Sequence, residues 1–190
     1  MGGGRADARA CQDSPVRKTL AFALILPALA LPFAGCSDGR KIATPPACLS
    51  DSSTWVTALA AAPDQVRISE ATPISECLVK DQVAAQQQEF GKTAVEAATR
   101  LAAFYKGAGK TGKQTDTGTK VSGGSASSEQ AALMAGYLVG ALQKGAGETD
   151  GIHATLVNRV EAAASNGLDG ADQQVQGAYQ KGHQAGLDSG

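Results

Sequence analysis

Aromatic side chains are scarce in this 190-residue chain: four Phe, three Tyr and one Trp, or 4% of all residues. A β-sandwich fills its interior with β-branched and aromatic side chains from two facing sheets, and that supply is missing here. Histidine is scarcer still. His153 and His183 stand far apart, neither has a metal-type partner one helical turn away, and so no cofactor or metal is expected. No GxSxG, HExxH or CxxC occurs, which excludes the hydrolases, zinc proteases and thiol redox proteins that such motifs mark. A basic excess is also absent, the formal net charge being −1. Four basic and two acidic residues lie within 1–35; without them 13 basic face 16 acidic residues. A net charge of −3 is no footprint for nucleic acid.

What the chain has is alanine, glycine and aliphatic residues, with hydrophobic types at 43% and 23 glycines. Such a composition suits helices that pack closely. The length fits one domain plus a targeting segment.

That segment is at the front. Val16-Arg17-Lys18-Thr19 is a short basic head, residues 20–33 (LAFALILPALALPF) are uncharged and apolar, and Ala34 and Gly35 follow. Basic head, apolar middle and small-residue tail are the parts of a signal peptide. A membrane-spanning helix needs about 20 apolar residues; this run is shorter and carries Pro27 and Pro32. Residues 1–15 hold two acids and many small residues, so translation is expected to start at Val16 through an alternative start codon. Ala28-Leu29-Ala30 offers a rival site for ordinary cleavage.

The Ala34-Gly35-Cys36 ending resembles a lipobox, with Phe33 where that family of bacterial lipoproteins usually carries leucine. The resemblance covers residues 1–36 and implies that Cys36 is acylated after export and becomes the first residue of the mature chain. Ser37 behind it is similar to residues that permit transfer to an outer membrane; in a cell with one membrane the same anchor would place the chain on the outer face of the cell membrane. Cys11 leaves with the leader, and Cys48 and Cys77 then remain as an even pair in an oxidising compartment. Cleavage at Ala30 would leave three cysteines, one of them unpaired. The Cys48–Cys77 bridge is expected to be structural, because two cysteines make no metal site and no histidine lies near them.

Residues 36–47 read as a lipid-anchored tether stiffened by Pro45-Pro46, and 48–190 as a helical domain. Asp51, Ser52 and Ser53 are cap candidates for a helix with Trp55, Val56 and Leu59 on one face, stopped at Pro63. Residues 64–74 read as an extended connection. A long helix is expected from Ser75 to about Tyr105, with Val79, Val83, Gln86, Phe90, Ala94, Ala97, Leu101 and Phe104 as its stripe. Gly91, inside it, would permit close approach of a neighbour. Residues 107–126 have no core pattern and read as a flexible loop, whose four nearby lysines suit either solvent or an anionic surface. Gly109-Lys110-Thr111 is no phosphate-binding loop, since Phe104 stands where its first glycine is needed.

Ser127 with Gln130 is a capping-box signature for a helix to Lys144, stopped at Gly145. Ala132, Gly136 and Gly140 form a small-residue face on it, for packing inside the domain or for interaction, and the run is too short to span a bilayer. Thr149 is expected to cap a helix to Asn166 with Ile152, Leu156, Val160 and Ala163 as its stripe and Gly167 as its stop. A last helix runs from Asp169 to Leu187 with Val175, Ala178, Tyr179, Gly182 and Gly186 at helical spacing.

The expected fold is all-α: a small four- to five-helix bundle stapled by one disulfide, with a disordered Gly/Ser/Lys loop. The expected role is that of a membrane-anchored extracytoplasmic lipoprotein, a non-enzymatic helical binding or envelope-structural module with an envelope protein or wall polymer as partner. The membrane is reached through its acyl chains. The alternative is a small envelope hydrolase using His153 and scattered carboxylates. A histidine that is exposed or bonded to neighbours in its own helix end is the simpler expectation for His153.

Overall fold

The computed structural model describes residues 43–106 and 127–190. The leader, Cys36, most of the tether and the loop 107–126 lie outside the described residues. Among these residues the framework is a bundle of five helices: α1 (Ser52–Leu59), α2 (Ala84–Tyr105), α3 (Ser128–Glu148), α4 (Ala154–Ser165) and α5 (Gln173–Ser189). Short 3-10 turns at Pro46–Leu49, Ile74–Cys77 and Leu168–Gly170 and one hairpin, β1 (Arg67–Ile68) against β2 (Thr72–Pro73), complete it. Cys48 and Cys77 form a disulfide, fully buried, with Cα atoms 5.5 Å apart. The 29-residue separation makes the bridge worth about 3–4 kcal/mol in the chain-entropy model.

Asp51 caps α1, accepting from the Ser53 and Thr54 amides at 2.8 and 3.1 Å. The Ser53 hydroxyl and these Thr54 and backbone contacts hold its carboxyl well below the usual carboxylate range. Trp55, Val56 and Leu59 are buried, and the Trp55 ring meets Phe90 of α2 at 5.5 Å. Ser69 and Glu70, at the hairpin tip, both have positive φ. A tight hairpin demands that of its two central residues, here without the glycine that adopts it most easily.

The chain enters the domain earlier than the composition of the tether indicates. Thr44 is buried, with its amide on Gln86 Oε1 at 3.2 Å and its hydroxyl accepting from Gln82 Nε2. The long helix, in turn, starts later than expected, at Ala84 and not at Ser75. Ile74–Cys77 is a 3-10 turn and Leu78 is extended. The disulfide holds this turn on the core, and the Val79 carbonyl accepts from His153 Nε2 at 3.0 Å. Val79 and Val83 therefore leave the stripe, and Tyr105 replaces Phe104 as its buried end.

At the centre lies α3. Residues 131–142 are all buried, which is how the uncharged middle of this helix is accommodated in a bundle that covers it on every side. Ser127 caps it by accepting from the Gln130 amide at 3.2 Å. Gly145 does not stop it: a β-carbon there would strike the Ser75 carbonyl, so this glycine serves a close approach. The helix ends at Glu148, where Thr149 Oγ1 donates back to the Gly145 and Ala146 carbonyls and Asp150 and Gly151 turn left-handed. Thr149 is thus a C-terminal device of α3, not the cap of the next helix. That cap position is occupied by His153, and Ile152, expected on the stripe, is 54% exposed outside α4. The buried face of α4 is Leu156, Val157, Val160 and Ala164. Gly167, at φ 106°, follows it. Asp172 then caps α5 through the Val175 amide at 2.9 Å, four residues after the expected start.

Candidate functional site

Three places in the domain gather chemistry-bearing residues. The first is the seam between α3 and α5. The Leu133 and Tyr137 carbonyls face Gly182 and Gly186, while those of Tyr179 and His183 face Gly136 and Gly140. Residue numbers rise together on the two helices, so they run parallel. A β-carbon at any of these four glycines would fall within contact distance of backbone on the other helix. Two backbones at such range are held by dispersion and Cα–H···O contacts. Ala132 is fully buried on the same helix. The small-residue face is occupied inside the bundle, and Gly182 and Gly186, visible in the sequence only as a weak helix, are its counterpart.

The second is His153. It is 2% exposed, and its partners are distant: Gln87 Nε2 lies 3.1 Å from Nδ1, and the Val79 carbonyl 3.0 Å from Nε2. The expectation of an exposed or locally bonded histidine is corrected by this geometry. A carbonyl only accepts, so Nε2 carries the proton and Nδ1 accepts from the Gln87 amide. Both ring nitrogens are committed to holding the 78–83 segment and α2 on the start of α4. Lys80 and Asp150 pair across the same junction at 2.6 Å, both well exposed. The arrangement is a clamp; a general base needs a free nitrogen near a substrate proton. His183 stacks on Tyr179 and bonds Gln143 Oε1 at 2.8 Å. Among the described residues no cluster of His, Cys, Asp and Glu has the makings of a metal site.

The third place was not visible in the sequence. The last turn of α4, the Leu168–Gly170 turn and the start of α5 enclose a groove of about 310 Å³ whose walls include Glu161, Asp169, Gln176 and Tyr179. Tyr179 is 7% exposed. Burial, and secondly the Glu161 carboxylate, push its phenol up to about 12, so it stays protonated at neutral pH. A second groove, about 340 Å³, lies between the N-terminal ends of α3 and α5 and mixes Glu129 with Lys181.

Cys48 and Cys77 are joined at the neck where the chain enters the domain, and Cys36 is outside the described residues. No helix among the described residues is long and apolar enough to cross a membrane. No protein-family model, curated protein or solved structure matches the chain.

Proposed function

We propose that the chain is an exported lipoprotein, held at a membrane surface by acyl chains on Cys36, whose helical domain is a binding or structural module of the cell envelope. The observation that carries this reading is the cysteine pairing. Cys48 and Cys77 are bonded to each other, a state that belongs to oxidising compartments. Beyond the leader that leaves Cys36 alone, behind two small residues and an apolar run. A thiol there would be free to scramble the bridge; an acylated one is not.

The anchor is adequate on energetic grounds, since acyl chains contribute about 0.8 kcal/mol per buried methylene and two chains hold a protein stably. Seven residues, 37–43, separate Cys36 from the buried Thr44. Fully extended, that link reaches about 25–30 Å, enough to set the domain clear of lipid headgroups. A polar-surfaced bundle with its most apolar helix enclosed suits a module that works in water beside the membrane.

The test is the processing of the protein in a bacterial host. Mass spectrometry of the mature N-terminus is expected to find Cys36 first and carrying a diacylglyceryl group. A Cys36→Ser variant should remain in the precursor form or be released from membranes. A mature chain that begins at Leu31, or an unmodified Cys36 thiol, overturns the proposal. Crosslinking in intact envelopes then identifies the protein or wall polymer that the module contacts.

A further inference from the structure

We propose that α5 is an exchangeable arm, and that a second copy of this chain binds by reciprocal transfer of α5 onto the other copy's α3. The inference goes beyond the anchored-module reading and does not depend on it.

The arm has one support. Among the described residues α5 packs on α3, and every other element touches it only marginally. The connection that holds it there is thin. None of residues 166–172 is buried, and the side-chain bonds across it are those of Gln176 Nε2, which donates to the Leu168 carbonyl at 3.1 Å and to the Ala171 carbonyl at 3.0 Å. Asp172 caps α5 itself and travels with it. Opening this turn therefore costs little core. Lifting α5 away, by contrast, uncovers residues 131–142 of α3, all uncharged and all buried. An apolar face of that extent does not stay bare in water.

The shape of the seam names the occupant. Gly136 and Gly140 lie against the Tyr179 and His183 carbonyls, and Gly182 and Gly186 against those of Leu133 and Tyr137. A helix without glycines at these two positions cannot approach so closely, whereas the α5 of another copy fits as its own does. Exchange keeps every contact between α3 and α5 and changes only the connection. Fully extended, residues 166–172 span about 23–25 Å, a reach that carries the arm to a neighbouring molecule. The balance between closed and exchanged forms is then set at the hinge, where strain in the closed turn favours exchange. Gly167 holds that turn at a φ of 106°, a conformation in which a β-branched residue is strained. A β-carbon there would also lie 3.0 Å from Lys106 Cα.

The test uses full-length chains in nonionic detergent, with Cys11→Ser and Cys36→Ser so that Cys48 and Cys77 are the only native thiols. Gln143 and His183 bond across the seam at 2.8 Å and mark it. Chains carrying Gln143→Cys are mixed with chains carrying His183→Cys and unfolded in urea at acidic pH, where thiol exchange is suppressed. They are refolded together and then oxidised with glutathione disulfide. A covalent dimer of the two kinds of chain is expected on a non-reducing gel, its yield rising with protein concentration. Gln180→Cys, exposed on α5 beside the other groove, should not link when it takes the place of His183→Cys. Gly167→Val, with helical circular dichroism retained, should lower the concentration needed for half-linking about tenfold. A flexible Gly-Ser insertion after Gly170, which relaxes the closed turn, should raise it. One chain carrying both Gln143→Cys and His183→Cys should close internally at high dilution; failure there overturns the seam and the exchange with it. Absence of a mixed dimer at every concentration, equal linking through Gln180→Cys, or half-linking that neither hinge change moves overturns the exchange alone.

Discussion

The same substitution, glycine to alanine, should change stability in opposite directions at two positions of the parallel helix pair. Gly177 is exposed on α5, and a β-carbon there would meet nothing within 4 Å. Alanine at that site gains only helix propensity, about 0.8–1 kcal/mol. Gly140 on α3 gains the same propensity but sets its β-carbon against the His183 carbonyl oxygen, 2.9 Å from the Leu187 nitrogen and 3.0 Å from the His183 carbonyl carbon. All three are backbone atoms, so no rotamer change relieves the clash. The helices must move apart, and the neighbouring contacts at Gly136, Gly182 and Gly186 loosen with them. Overpacking costs typically about 1–3 kcal/mol and more where backbone must shift. Against a propensity gain near 1 kcal/mol, a net loss of about 2 kcal/mol is expected for Gly140→Ala. In a domain of this size that lowers the melting temperature by roughly 4–8 °C, while Gly177→Ala raises it by about 2–4 °C. Thermal and urea unfolding followed by helical circular dichroism measures both. Equal effects of the two substitutions, or a stabilised Gly140→Ala, would refute the close parallel packing of α3 and α5.

Replacing Cys48 and Cys77 together by serine is expected to cost about 3–4 kcal/mol, read as the urea midpoint with and without reductant; an unchanged midpoint would remove the bridge from the stability account. Tyr137→Phe deletes bonds to the Val66 amide at 3.0 Å and to Ser189 Oγ at 3.1 Å. It leaves a buried donor unpaired at a cost of about 1–3 kcal/mol, with faster amide exchange expected at Val66. Alkali should also weaken the fold. Burial foremost, then a neighbouring acidic group, raises the phenols of Tyr105 and Tyr179, that of Tyr179 up to about 12. An unfolded chain ionises near pH 10. The stability they hold is therefore complete below about pH 10 and disappears as pH rises through the folded-state values. Tyr179→Phe should shed part of that loss, and an alkaline profile identical to the wild type would contradict its buried, neutral state.

Elements whose signal is local were legible in the sequence. The cap at Asp51, the Ser127–Gln130 pairing and the stop at Gly167 each depend on residues a few positions apart, and the folded chain uses them so. The Cys48–Cys77 bond agrees with a count that rests on the expected leader and lipobox, under which Cys11 and Cys36 are removed from the pairing. The errors are of another kind. Val79 and Val83 fit a helical stripe, but the bridge at Cys77 and the His153 contact from more than seventy residues away take that segment out of the helix. Gly145 and Thr149 carry stop and start signals, and tertiary contacts reassigned both: Ser75 needs the close approach at one, and the end of α3 uses the hydroxyl of the other. The α4–α5 groove was illegible because its members meet only across a turn, and neither a carboxylate nor a tyrosine has a spacing that announces it.

The scarcity of aromatics and the glycine content are two sides of one solution. Large side chains fill a core by reaching across it; a chain rich in alanine must bring its backbones together to reach native packing density. Glycine permits that at the cost of helix propensity, about 1 kcal/mol per residue. Gly136, Gly140, Gly182 and Gly186 accept that cost because each exposes its Cα to a carbonyl on the other helix. Their contacts join α3 to α5 over some 45 residues of sequence, with α4 running back between them so that the two helices lie parallel. That crossing also creates the groove. To turn from the end of α4 into α5 the chain needs the Gly167 reversal and the Leu168–Gly170 turn. These leave the carbonyl end of one helix beside Tyr179 of the next. The packing that compensates for missing aromatics is thus what places one of the few tyrosines at the edge of a cleft lined by Glu161 and Asp169.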